Sequence, residues 1–166
     1  GRPGSPQLMQ LGAEDITASW PLDGKKLWRF PYKITYRFSI AQPVFHEGIL
    51  LVSGYWHGTR AIRPGTSSSE AVLEWSEEKK LCGLMSQPLY RAGVVYLLTK
   101  SNGVTAFRLK DGAILWSDEH RLTPKDRNPQ LSLVWADQEA GVACGLNAVG
   151  ELLFARFSEK GFEELH

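Results

Sequence analysis

Three stretches of this chain are rich in aromatic or basic residues, the first in both, and they are the chemistry the sequence offers. The first stretch, running from Arg29 to Ala41, holds Tyr32, Lys33, Tyr36, Arg37 and Phe38. The second is the short run Tyr55-Trp56-His57-Gly58. The third, from Ser117 to Gln130, carries His120, Arg121, Lys125, Asp126 and Arg127. Rings set beside guanidinium and ammonium groups suit stacking and hydrogen bonding at a binding surface. Tyr32, Tyr36, Arg37, Tyr55, Trp56, His57 and Arg127 are therefore the candidate binding residues. Signals for catalysis are weaker. The four histidines, His46, His57, His120 and His166, form no i, i+2 or i+4 metal pair. No Asp-rich loop has calcium spacing. Asp23, Asp111, Glu77, Glu78, Asp118 and Glu119 fall in turns or charged strand exits and are expected in solvent. Cys82 and Cys144 are too few for a disulfide framework or a zinc site, so each is expected as a buried free thiol. No catalytic, cofactor-binding or metal-binding residue is assigned.

The elements that must hold these stretches in place come from a repeat. Ala18-x-Trp20-x-x-Asp23-Gly24-x-x-x-Trp28 recurs as Ala106-x-Arg108-x-x-Asp111-Gly112-x-x-x-Trp116. A version with four extra turn residues runs from Ala61 to Trp75, and a looser one runs from Ala155 through Gly161 to Leu165. Steps of roughly 40–50 residues built from short β segments point to propeller blades. The third unit shows the pattern most clearly. Gln87 to Arg91, Val94 to Lys100, Val104 to Leu109 and Ala113 to Trp116 read as four strands, split by turns at Ala92-Gly93, Ser101-Asn102-Gly103 and Lys110-Asp111-Gly112. The expected fold is an all-β propeller arc, with a partial blade over 1–30 and blades over roughly 40–77, 86–118 and 129–165. The partial blade leaves little room for a first strand, and closed rings need ~4–8 blades. The chain is therefore expected to be a piece of a longer polypeptide.

A blade with two apolar faces must stack on neighbours to cover both. The motif supplies contacts for this. A small Ala leaves space for an indole, and the Gly turn of the next blade presents a flat peptide to it. Ala18, Gly24, Trp28, Ala61, Trp75, Ala106, Gly112, Trp116, Ala155, Gly161 and Leu165 are the candidate docking residues.

Composition narrows the partners. Nineteen basic and eighteen acidic residues leave a net charge of +1, without the basic footprint that nucleic acid requires. No apolar run approaches the ~18 residues of a membrane span.

The motif resembles the tryptophan-docking motif of quinoprotein-type propellers, Ala-x-Asp-x-x-x-Gly-x-x-x-Trp. This chain departs from it at the third position, which is Trp20, Arg63, Arg108 or Phe157. The whole chain resembles bacterial proteins with PQQ-like β-propeller repeats. That resemblance implies a non-catalytic binding or scaffold module of the periplasm or cell envelope, with a protein or small-molecule ligand at the propeller rim. No cofactor is expected in this chain. The alternative implied is part of a quinoprotein oxidoreductase, with pyrroloquinoline quinone and calcium held partly by residues outside this chain. Some relatives with this fold present the rim to a membrane-protein assembly machine, a third reading. Remaining blades, or self-association, would complete the ring.

Overall fold

The computed structural model describes residues 6–37 and 41–166; the side chain of Arg37, the residue Phe38 and the start Gly1-Arg2-Pro3-Gly4 lie outside the described set. Among the described residues, fifteen strands fold into four antiparallel sheets in chain order. The first sheet has three strands, β1 (Leu8–Leu11), β2 (Asp15–Ser19) and β3 (Lys26–Pro31). The second has four, β4 (Val44–His46), β5 (Ile49–Gly54), β6 (Gly58–Arg63) and β7 (Val72–Glu77). The third comprises β8 (Leu89–Arg91), β9 (Val94–Thr99), β10 (Gly103–Arg108) and β11 (Ile114–Ser117). The fourth comprises β12 (Leu131–Asp137), β13 (Val142–Asn147), β14 (Leu152–Ser158) and β15 (Gly161–Glu164). The sheets form an open arc. The one helical turn among the described residues is 3-10, at Thr35–Arg37.

The strands are apolar because most have two faces to bury. Side chains alternate along a strand, and in β9 that alternation serves two neighbours. Val95 and Leu97 pack with Leu51, Ala61, Leu81, Phe107 and Leu109 between the second and third sheets. Val94, Tyr96 and Leu98 pack with Leu131, Leu133, Ala143, Leu153 and Phe157 between the third and fourth. A third cluster joins Ile16, Ala18, Trp28, Tyr32 and Ile34 to Leu50, Val52 and Ile62, between the first and second sheets. The core thus consists of three seams between sheets.

The repeat residues meet across these seams. Ala18 pairs with Trp28, Ala61 with Trp75 and Ala106 with Trp116. The Trp75 indole N–H donates to the Leu109 carbonyl at 2.8 Å, and the Trp116 N–H donates to the Ser158 carbonyl at 2.9 Å. Gly112, at φ +70, lies so close to Trp75 that a Cβ there would come within 2.8 Å of the ring. Trp28 reaches the second sheet differently. Its N–H donates to Gln7 Oε1 at 2.7 Å, and Gln7 Nε2 donates to the Gly65 carbonyl at 3.0 Å. Gln7 bridges to the turn that carries the extra residues.

The fourth unit departs from the sequence alignment. Ala155 pairs with Ala143 and with Glu164 and faces the third sheet. The place Ala106 holds in the third sheet is taken by Phe154, which pairs with Cys144 and accepts the Leu165 N–H. A slip of one residue sends a side chain to the other face, so Ala155 is on the opposite side from the expected one. A Cβ added at Gly161 or Gly24 would meet nothing within 4 Å, and Leu165 is 41% exposed. Neither glycine makes an indole contact of the kind Gly112 makes.

Two further expectations are corrected. Asp118 is buried, at 1% exposure, because its carboxylate accepts the backbone N–H groups of Val104 (2.7 Å), Leu122 (2.9 Å) and His120 (3.1 Å). Cys82 and Cys144 are free but only half-buried. Cys82 turns its thiol to the Glu78 and Lys79 carbonyls of a surface turn, while Cys144 faces the uncovered side of the last sheet.

Candidate functional site

One end of the arc gathers the three connections between sheets around the β5–β6 turn. Tyr55-Trp56-His57 forms that turn. The first connection contributes Tyr32, Ile34 and Ala41, the second Leu84 and Met85, and the third Arg127 and Asn128. With Leu11, Ser53 and Gly54 they line an apolar pocket of about 430 Å³. Five of the candidate binding residues, Tyr32, Tyr55, Trp56, His57 and Arg127, therefore share one cavity.

Tyr32 is the fixed wall. It is 1% exposed, and its hydroxyl donates to the Gly58 carbonyl at 3.2 Å. Gly54 gives it room, since a Cβ there would lie 2.9 Å from the Tyr32 hydroxyl oxygen. Burial pushes the phenol up to about 12, against the opposing pull of Arg60, whose guanidinium sits 5.2 Å from the ring centroid. The phenol therefore stays a donor at any physiological pH.

His57 anchors the first connection to the turn. Its Nε2 accepts the Thr35 backbone N–H at 3.2 Å and lies 2.8 Å from Thr35 Oγ1. The backbone donor leaves Nε2 without a hydrogen, so the neutral ring carries its proton on Nδ1. Tyr36, the next residue, adopts φ 60 and is 73% exposed. Its ring meets Trp56 edge-on with centroids 5.2 Å apart, and Trp56 meets Tyr55 at 4.5 Å. Lys100 Nζ lies 4.1 Å from the centroid of the Tyr55 ring. The result is an aromatic ledge beside the pocket, with Lys100 and Arg127 as its cations. Such a site can take an apolar or aromatic group and meet a negative charge at its margin.

Other parts of the third connection lie apart. His120 Nε2 donates to the Ser101 carbonyl at 3.2 Å, and Arg121 lies over the Phe162 ring at 4.9 Å. Leu84, Met85, Thr35 and Lys100 carry no mark in the sequence that sets them apart as binding residues. The apolar pair Leu84-Met85, between Gly83 and Ser86 in the second connection, is the one available signal.

The lining residues do not fit a calcium-bound quinone. Calcium takes six to eight oxygen ligands, carboxylates prominent among them, and no Asp or Glu lines this pocket. Among the described residues, no three His, Cys, Asp or Glu side chains are grouped to hold a metal ion.

These sheets and connections define a β-propeller architecture, and comparison with solved structures places the chain within it. BamB from Moraxella catarrhalis superposes with a TM-score of 0.67 at 12% identity, over 98% of this chain and 49% of BamB. The computationally designed Ika4 protein superposes with a TM-score of 0.66 at 11% identity, over 92% of this chain and 86% of Ika4. The designed Ika8 protein gives 0.64 at 11% identity, over 95% of this chain and 46% of Ika8. The chain spans about half the length of BamB. The match bears out the resemblance to PQQ-like β-propeller repeat proteins, and at these identities the likeness is one of fold. No family model and no curated sequence matches the chain. No helix among the described residues is long and apolar enough to cross a membrane.

Proposed function

We propose that this chain is a non-catalytic binding module of the cell envelope, and that its partner is a protein which inserts an apolar or aromatic side chain into the pocket at Tyr55-Trp56-His57. The observation that carries this reading is the convergence of three connections on one apolar cavity with an exposed aromatic ledge. A large ring entering such a pocket, surrounded by near-neutral contacts that exclude water, is the usual anchor of a protein interface. The envelope location rests on the resemblance alone.

The test replaces Trp56 with a photo-crosslinking phenylalanine analogue in the otherwise intact chain. Mass spectrometry on envelope extracts is expected to identify one dominant crosslinked protein. The crosslink should fall with the Tyr36→Ala change and persist with Lys125→Ala, a change outside the pocket. Diffuse crosslinking that ignores Tyr36→Ala defeats the reading. Reconstitution with pyrroloquinoline quinone and calcium supplies the opposing arm. A visible-band shift with dye reduction would establish the oxidoreductase alternative in its place.

A further inference from the structure

The margin of the aromatic pocket carries charge of one sign. Arg127 lines the pocket, and no Asp or Glu does. Lys100 stands beside it with its ammonium over the Tyr55 ring, 4.1 Å from the centroid. The Lys100 backbone N–H donates to the Cys82 carbonyl of the second connection at 2.9 Å. That bond fixes where the side chain starts, and the ring face holds its charge at the ledge. Among the described residues, neither the Lys100 ammonium nor the Arg127 guanidinium forms a hydrogen bond or an ion pair. Other arginines are engaged: Arg60 and Arg156 face carboxylates, and Arg91 donates to the Gln138 and Glu139 carbonyls.

The carboxylates along the second and third connections are committed elsewhere. Glu77 accepts the Lys79 and Lys80 N–H groups, and Glu78 faces Arg60 at 3.6 Å. Buried Asp118 accepts three backbone N–H groups. Asp126 accepts the backbone N–H of Arg127 itself, and Glu119 pairs with neither cation. Residues 1–5 and the whole first connection, 32–43, contain no Asp or Glu. The two cations therefore meet no carboxylate from any of the three connections.

We infer that the partner segment received at Tyr55-Trp56-His57 carries a carboxylate beside its anchoring ring, and that Lys100 and Arg127 select it. This inference rests on the pocket reading above and adds the charge of the segment to it. The ring of the segment supplies burial. Its carboxylate meets cations held against apolar surface, where water screens charge less than at an open face. Complementary charge chooses among partners more than it adds raw affinity. A segment with Lys beside the ring would set like charges together and be rejected. Lys100 and Arg127 come from separate elements, so an Asp or Glu on either side of the aromatic residue can be read.

The probes are two capped peptides, acetyl-Gly-Asp-Trp-Asp-Gly-amide and its counterpart with Asn in place of both Asp, titrated calorimetrically into the intact chain. Capping removes the terminal charges, so the pair differs in charge only at the two side chains. At low salt the Asp peptide should bind about five- to tenfold more tightly than the Asn peptide. The double change Lys100→Gln/Arg127→Gln should bring that ratio within about twofold. Lys125→Gln, which removes a charge outside the pocket, should leave the ratio as it was. Melting temperatures report whether each variant is folded. Salt repeats the test on the unaltered chain, because the ratio should shrink at about 0.5 M. Equal binding of the two peptides, both weakened by Tyr36→Ala, overturns this inference and leaves the pocket reading standing. A ratio that ignores both the double change and salt overturns it too. Failure of both peptides to bind overturns the pocket reading, and this inference with it.

Discussion

Asp118 shows how much a single side chain can hold at the end of a blade. Two of the three N–H groups it accepts, those of Val104 and Leu122, are buried. Asp118→Ala leaves them without a partner and should cost about 2–4 kcal/mol in urea unfolding. Burial, opposed by these same donors, holds the carboxyl above its ordinary value of 3.8. A carboxyl raised in this way binds its proton more tightly in the folded state than in the unfolded one. Its contribution to stability is complete below the unfolded value and is lost as pH rises through the folded one. Asp118→Asn, which cannot ionise, should flatten that decline when urea midpoints are compared from pH 3 upward. The sequence did not disclose this role. Asp118 follows a strand in a run that continues Glu119-His120-Arg121, which reads as a solvated exit. Burial here comes from the chain folding back so that Leu122 enters the core, and no local pattern records that return. Trp28 was more legible, because its spacing from Ala18 is the motif itself. It is 2% exposed, whereas Trp75 and Trp116 are half-buried. Trp28→Ala should therefore cost about 3–5 kcal/mol and Trp116→Ala less, a ranking that denaturant titration can check.

At the scale of elements, strands were readable wherever both faces had to be buried and less so where one face was free. Val94 to Lys100 announced itself as a continuous apolar run. The last unit misled the alignment, because an apolar residue occurs on both faces of Leu152–Ser158 and a one-residue slip still finds an Ala. The pocket was legible only as three separate stretches, each rich in aromatic or basic residues. What brings them together is the stacking of sheets, which sequence spacing indicates only once the repeat is recognised. Turn glycines give a paired test of that stacking. Gly24 and Gly112 have nearly the same φ, +72 and +70, but only Gly112 lies against an indole. Gly24→Ala should cost the backbone term alone, about 1–2 kcal/mol. Gly112→Ala should add about 1–3 kcal/mol for overlap with Trp75. Equal losses in thermal unfolding would show that the Trp75 contact contributes nothing to this turn.

The whole molecule has two unlike ends. The uncovered face of the first sheet is largely polar, with Gln10, Thr17 and the Arg29–Asp15 ion pair. The uncovered face of the last sheet is apolar, with Val134, Leu146 and Leu152 each more than half exposed and Cys144 and Phe154 between them. Contiguous apolar patches promote association. Sedimentation velocity on the 166-residue chain should show concentration-dependent association, and Leu146→Lys with Leu152→Glu should reduce it. Association that survives these changes would have to use another surface.

The alternation along Val94–Thr99 has a consequence for how the protein comes apart. Because each apolar cluster belongs to a junction between neighbours, cooperative opening should follow junctions, as in quasi-one-dimensional arrays. Hydrogen exchange would then show protection in three blocks, with the middle strands of the second and third sheets counted in two blocks each. Tyr96→Ala, directed at one side of β9, should speed exchange across residues 131–157 while leaving 44–63 slow. A single chain would thus keep separate local stabilities on the two sides of one strand, and a partner that bound one junction could steady it without stiffening the rest.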